Sequence, residues 1–171
     1  QVGYYTEVAG LGASPADVVI NGHVDVYNRC LAPDNCIALV NFWRSVSNLT
    51  INIMGETGCR ASANFWAASQ AAPMRRVNVT GGNLTLFDYC TAGPQFASGG
   101  FIADSKLPFT INGSQQQWLT RDSVVAGITE DTLHLGMFFF SHNHDLVAVF
   151  LEVLGVTLRL ASCAAACARL V

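Results

Sequence analysis

The chain has 171 residues, 51% of them hydrophobic and 12% charged, with a formal net charge of -3. This length and apolar content allow one substantial core without division into separate domains, and they exclude a disordered chain. The small negative charge and the lack of any Lys/Arg run exclude a protein that tracks nucleic-acid phosphates, Arg75-Arg76 being an isolated pair on the solvated side of a strand.

Taken in chain order, short β-type runs recur, each bounded by Gly, Asn, Ser or Pro. They are Val18-Val19-Ile20, Leu49 to Ile53, Val77-Asn78-Val79, Leu84-Thr85-Leu86 and Phe109-Thr110-Ile111. Amphipathic helical periodicity is nearly absent before residue 130. Between the runs a phrase returns in which bulky residues lead to a serine. It reads Asn41-Phe42-Trp43-Arg44-Ser45, then Asn64-Phe65-Trp66 leading to Ser69, then Phe101 to Ser105, then Leu119 to Ser123. Apolar β runs follow three of these serines, at Ile51, Val77 and Ile111. Spacings of roughly 18 to 36 residues fit coils of unequal length with an insertion near residues 87 to 98. The pattern predicts an all-β parallel β-helix, a solenoid in which residues 18 to 125 form stacked parallel strands. Trp43 and Trp66 are expected as neighbours in one aromatic stack. The hairpin-type dipeptides Asn21-Gly22 and Asn112-Gly113 keep an antiparallel β-sandwich as the alternative.

Six cysteines point to an oxidising compartment. Cys30 and Cys36 bracket a short loop and suit local closure, and Cys59 with Cys90 suits a longer one. Four N-x-Ser/Thr patterns, at Asn48, Asn78, Asn83 and Asn112, are either glycosylation acceptors or the strand and turn asparagines of a solenoid. No segment reads as a signal peptide. Folded-type sequence from Gln1 onward is compatible with a leader that has been removed, and the expectation is a secreted protein.

The blocks QVGYYTEVAGLGASPADVVING, NFWRSVSNLTI, FWAASQAAPMRRVNV, DYCTAGPQFASGGFIADS and NGSQQQWLTRDS together resemble the N-terminal part of a family of large secreted microbial proteins. These have a pectin-lyase-like right-handed β-helix, are described as glycoside hydrolases, and often carry accessory carbohydrate-binding domains. The resemblance covers approximately residues 1 to 125 and implies right-handed coils there and extracellular polysaccharide as substrate. From residue 126 to 171 the sequence diverges into an apolar tail, expected to cap or extend the solenoid of a truncated relative with little hydrolase activity of its own. Leu146 to Leu158 contains Glu152 and falls short of the about 20 apolar residues a membrane span needs.

Glycoside hydrolysis calls for two carboxyl groups flanking the bond. Asp104 and Asp122 occupy matching places in FIADS and LTRDS, and Asp88 follows LTLF, so stacked coils would bring these acids onto one face. The competing reading makes them turn residues that satisfy backbone donors. Trp66, Tyr89 and Trp118 are candidates for a sugar platform, against a plain core role. Arg121 is the basic residue that a polysaccharide lyase would use as proton acceptor. No cofactor and no metal is expected, because His142, His144 and Asp145 lack a third fixed ligand and Cys163 with Cys167 lacks a second pair. The sequence therefore points to a carbohydrate-active β-helix hydrolase or a fragment of one. A noncatalytic glycan-binding or structural solenoid and a polysaccharide lyase are the alternatives.

Overall fold

The computed structural model describes residues 2–33, 35–37, 40–69, 72–91, 97, 99–111, 118–129, 138–140, 152–153 and 156–157. The strands are β1 (Thr6–Ala9), β2 (Val19–Asn21), β3 (Arg29–Ala32), β4 (Asn35–Ile37), β5 (Arg44–Asn52), β6 (Ala63–Phe65), β7 (Pro73–Thr80) and β8 (Asn83–Thr85). They continue with β9 (Gly100–Ala103), β10 (Lys106–Ile111), β11 (Trp118–Arg121), β12 (Val124–Thr129), β13 (Phe138–Phe140), β14 (Glu152–Val153) and β15 (Val156–Thr157). Short 3₁₀ turns occupy Pro15–Asp17 and Gly58–Arg60.

Eleven strands form a single curled sheet, and every pairing described within it is parallel. That register opposes the antiparallel sandwich. The exceptions are two small hairpins, β3 with β4 and β14 with β15. The first is an excursion from the coils, pinned by the Cys30–Cys36 disulfide. Paired positions lie 38 residues apart between β1 and β5, 28 between β5 and β7 and between β7 and β9, 18 between β9 and β11, and 19 between β11 and β13. The sheet does not stop at residue 125: β12 runs on to Thr129, and β13 adds a further parallel strand beside β11.

Each long strand changes direction at one residue, and the burial pattern records it. In β5, Arg44, Val46, Leu49 and Ile51 are buried while their neighbours are not, so the alternation slips by one at Asn48. Asn48 has φ 53°, in the left-handed region. In β7 the slip falls at Arg76 (φ 54°), and between β9 and β10 and between β11 and β12 it falls at Asp104 (φ 52°) and Asp122 (φ 49°). These four residues are in register on successive coils, a column of left-handed corners. Asn and Asp tolerate that conformation better than other non-glycine residues because their short polar side chains bond locally. Asn48 Nδ2 donates to the carbonyls of Gly10 and Gly12 at 2.8 and 2.7 Å. Gly10 extends the column, and a Cβ there would lie 2.0 Å from the Asn48 carbonyl oxygen.

Inside the curl, Val8, Val46, Met74, Ile102 and Thr120 lie in one register column, and Ile20, Ile51 and Val79 in another. Each fully buried aliphatic residue in such a column contributes about 1.5–3 kcal/mol. A serine column follows the corner: Ser105 Oγ donates to the Ala103 carbonyl and accepts from Val77 N–H, while Ser123 Oγ donates to the Arg121 carbonyl and accepts from Ser105 N–H. These are the serines of FIADS and LTRDS, a true repeat. The expected Trp43–Trp66 stack is not formed. Trp43 immediately precedes β5, is 55% exposed, and stacks on Tyr5 of the preceding coil. Trp66 follows β6, is fully buried, and bridges Val26. The two phrases lie at different places around the coil, so their likeness reflects no shared stack.

Candidate functional site

The outward residues of β1, β11 and the first halves of β5 and β7 form one solvated face, interrupted on β9 by the fully buried Ala103. Glu7 is in register with Ser45, and Ser47 with Arg75, which pairs with Ala103 and then Arg121. A cleft of 440 Å³ on this face is lined by Glu7, Ser45, Ser47, Pro73, Arg75 and Arg76. Arg75 Nη2 donates to Asp104 Oδ2 at 3.2 Å, and Arg121 Nη1 donates to the neighbouring Asp122. The Arg121 guanidinium also lies 5.7 Å from the Phe101 ring centroid. Two residues upstream of Glu7 and Ser45, the Tyr5 and Trp43 rings stack at 5.8 Å and 13°, with Tyr5 81% exposed. An apolar step thus leads into a charged, hydrogen-bonding surface.

Of the acids expected to work together, Asp104 and Asp122 do share this face, on adjacent strands about 4.8 Å apart. Both already hold an arginine. Asp88 is elsewhere and fully buried, where Arg60 Nη2 donates to its two oxygens at 2.9 and 3.0 Å. Thr91 Oγ1 and Cys90 N–H donate to it as well. A carboxylate so enclosed has no access to a substrate, and its surroundings are those of a structural ion pair.

The expected aromatic platform is likewise redistributed. Trp66 and Trp118 are 0% and 1% exposed and offer no ring face to solution, so the plain core reading fits them. Tyr89 is half-buried against Phe65 and Phe87, at 4.9 and 5.6 Å between centroids. Sequence reasoning missed Tyr5 and misplaced Trp43, because nothing in either residue's neighbourhood marks an outward-pointing aromatic. The Cys59–Cys90 disulfide closes beside the Arg60–Asp88 pair. Among the sequons, the Asn48 amide nitrogen is occupied by its two backbone acceptors, and Asn78 Nδ2 reaches Thr50 Oγ1 at 3.5 Å. Asn83 is half-buried in β8. Asn112, His142, His144, Asp145, Cys163 and Cys167 lie outside the described residues. Among the described residues no helix is long and apolar enough to cross a membrane.

A second group of ionisable side chains also escaped sequence reasoning. His23 and Asp25 follow β2, with His23 Nδ1 3.9 Å from Asp25 Oδ2, and Glu56 joins them from the loop after β5. Burial pushes the Asp25 carboxyl above its ordinary range. The Phe65 N–H and His23 oppose that rise, and Glu56 adds to it.

No protein-family model matches the chain. It is 46% identical over 129 residues to an exo-beta-1,3-glucanase from Streptomyces sp. strain SirexAA-E, a match that covers 74% of this chain and 19% of the glucanase. The solved structure of sacteLam55A from the same organism superposes with a TM-score of 0.63 at 40% identity, over 82% of this chain and 23% of that one. A variant of sacteLam55A in complex with glucose gives 0.64 at 40% identity, over 85% and 24%. The chain therefore spans about a quarter or less of the proteins it resembles.

Proposed function

We propose that the chain is part of a right-handed parallel β-helix, through residue 125 and beyond, in an extracellular carbohydrate-active protein. On this reading the solvated face of its first strand column holds a β-1,3-glucan chain. The similarity to an exo-beta-1,3-glucanase supports the substrate class. The observation that carries the site is the exposed Tyr5–Trp43 stack beside Glu7, Ser45 and Arg75. A β-glucose ring presents C–H faces that pack on aromatic rings and a rim of hydroxyls that bond to carboxylate and guanidinium groups. The face offers those two chemistries side by side.

In this reading Asp104 and Asp122 bind hydroxyls together with Arg75 and Arg121 and do not carry the bond cleavage. A carboxylate committed to a guanidinium is a poor proton donor to a glycosidic oxygen. Isothermal titration of the purified chain with laminarin, a soluble β-1,3-glucan, tests the proposal, with an α-glucan as control. Binding of laminarin alone, weakened about tenfold or more in Trp43→Ala, is the expected result. No laminarin binding, or equal binding in Trp43→Ala, overturns it. Glucan cleavage abolished by Asp104→Asn or Asp122→Asn in a folded chain would instead make the acid ladder catalytic.

A further inference from the structure

Away from the glucan face, a ring nitrogen of His23 and one carboxylate oxygen each of Asp25 and Glu56 lie within 4.8 Å of one another. The three reach that point from different coils. His23 and Asp25 follow β2, whereas Glu56 lies between β5 and the Gly58–Arg60 turn. Two of the three are held rigidly. Val24 N–H donates to Asn64 Oδ1 at 2.7 Å, and Asn64 Nδ2 donates back to the Val24 carbonyl at 3.0 Å. Val26 N–H donates to the Phe65 carbonyl at 2.7 Å, and Phe65 N–H donates to Asp25 Oδ1 at 2.8 Å. The third is adaptable, because Glu56 is exposed and the left-handed glycines Gly55 and Gly58 flank it.

One of the two imidazole nitrogens is not satisfied by protein groups. His23 is 4% exposed at its side chain, and Nδ1 lies 3.1 Å from the Ala63 carbonyl oxygen, an acceptor that assigns the proton to Nδ1. Nε2 then carries the lone pair, and it is buried with no hydrogen-bond partner. At 3.9 Å the His23–Asp25 contact is too long for a hydrogen bond, so an ordinary His–Asp pair does not account for the group. An imidazole fixed by a backbone carbonyl beside two carboxylates is a donor set that zinc accepts, whereas calcium and magnesium favour oxygen ligands alone.

We propose that His23, Asp25 and Glu56 bind a divalent transition-metal cation, zinc in preference to calcium, which clamps the segment after β2 to the loop after β5 on the next coil. The clamp is structural and independent of the glucan reading. Zinc titrated calorimetrically into the chelator-stripped chain should fill one saturable site and raise the melting temperature, and calcium at the same concentration should do neither. Glu56→Gln, at an exposed position, should leave the zinc-free melting temperature unchanged and weaken zinc binding at least tenfold. His23→Gln should weaken it similarly. Replacing His142 and His144 together by alanine should leave the site intact, which separates it from any binding by the tail. Absence of a saturable zinc site, equal binding in Glu56→Gln, or a stronger response to calcium overturns the proposal. If His23→Gln does not fold, Glu56→Gln decides alone.

Discussion

Replacing Arg60 by methionine should be among the most damaging single changes outside the aliphatic core. Asp88 is fully buried, and the Arg60 guanidinium supplies the charge opposite it at 2.9 and 3.0 Å. The same guanidinium lies 4.1 Å from the Tyr27 ring centroid and 5.4 Å from that of Phe65. Methionine keeps an apolar stem but removes the cation, stranding a carboxylate that retains only Thr91 Oγ1 and Cys90 N–H as donors. Removing one partner of a buried pair costs about 3–5 kcal/mol, and two surviving hydrogen bonds place this case near the lower end. Loss of the cation–π contacts adds about 0.5–1 kcal/mol, giving a total of about 3–4 kcal/mol. Urea unfolding followed by circular dichroism measures it; with a slope of about 2 kcal/mol/M the midpoint falls by about 1.5–2 M at unchanged slope. Adding Asp88→Asn in the Arg60→Met background removes the stranded charge and should recover more than half of the loss. A cost below about 1 kcal/mol, or simple additivity of the two changes, would refute the reasoning. Laminarin binding undiminished in a folded Asp88→Asn variant would separate this acid from the glucan site.

Replacing Cys59 and Cys90 together by serine reopens a loop whose ends are 31 residues apart, and chain entropy sets the expected loss at about 3–4 kcal/mol in the same unfolding assay. At Asp122, with φ 49°, valine should cost about 1–2 kcal/mol, while asparagine and glycine, which accept the left-handed corner, should melt close to the parent. Trp43→Ala should move stability by less than about 1 kcal/mol because the ring is 55% exposed, yet weaken laminarin binding by about tenfold or more, the scale of an aromatic anchor.

The parts of the fold legible in the sequence are those where neighbouring coils match in length. FIADS and LTRDS are 18 residues apart, the length of one coil, so Asp104 and Asp122 and the two serines after them fall into register. NFWRS and NFWAAS have no such relation, since the coils there are 38 and 28 residues long, and the repeated word was no guide to which residues stack. Composition also carries no sign of direction. Trp43 and Trp66 sit in nearly identical words, but a left-handed residue (Trp43, φ 59°) turns one outward while the other is enclosed. Corners were half legible. Asn48, Asp104 and Asp122 are residue types that favour φ > 0, whereas Arg76 occupies the same column with no such tendency and donates to the Ala13 carbonyl. Asp88 was misleading for a further reason. Its acidity is visible in the sequence, but the guanidinium that claims it lies 28 residues earlier and is brought there only by the winding.

The corner column also explains how one sequence can fix a core and a binding face at once. Shifting the alternation by one residue at each left-handed corner keeps Val46 and Leu49 inward on either side of Asn48, as it keeps Met74 and Val77 inward around Arg76. Outward positions between them carry no packing constraint, so Ser47, Arg75 and Arg121 can follow the needs of a ligand while the interior columns stay aliphatic. Ser47 and Arg75 lie on adjacent strands about 4.8 Å apart, and Arg121 lies two strands beyond Arg75, across the buried Ala103, so a polymer lying across the strands meets these groups in turn, and a single sugar meets one or two. Linked contacts of this kind raise affinity through effective concentration, without any single strong contact. On the proposed function, laminarin oligomers should therefore bind more tightly as they lengthen until they span from Trp43 to Asp122, and then no further. Equal affinity for glucose and for long oligomers would confine the site to the aromatic pair alone.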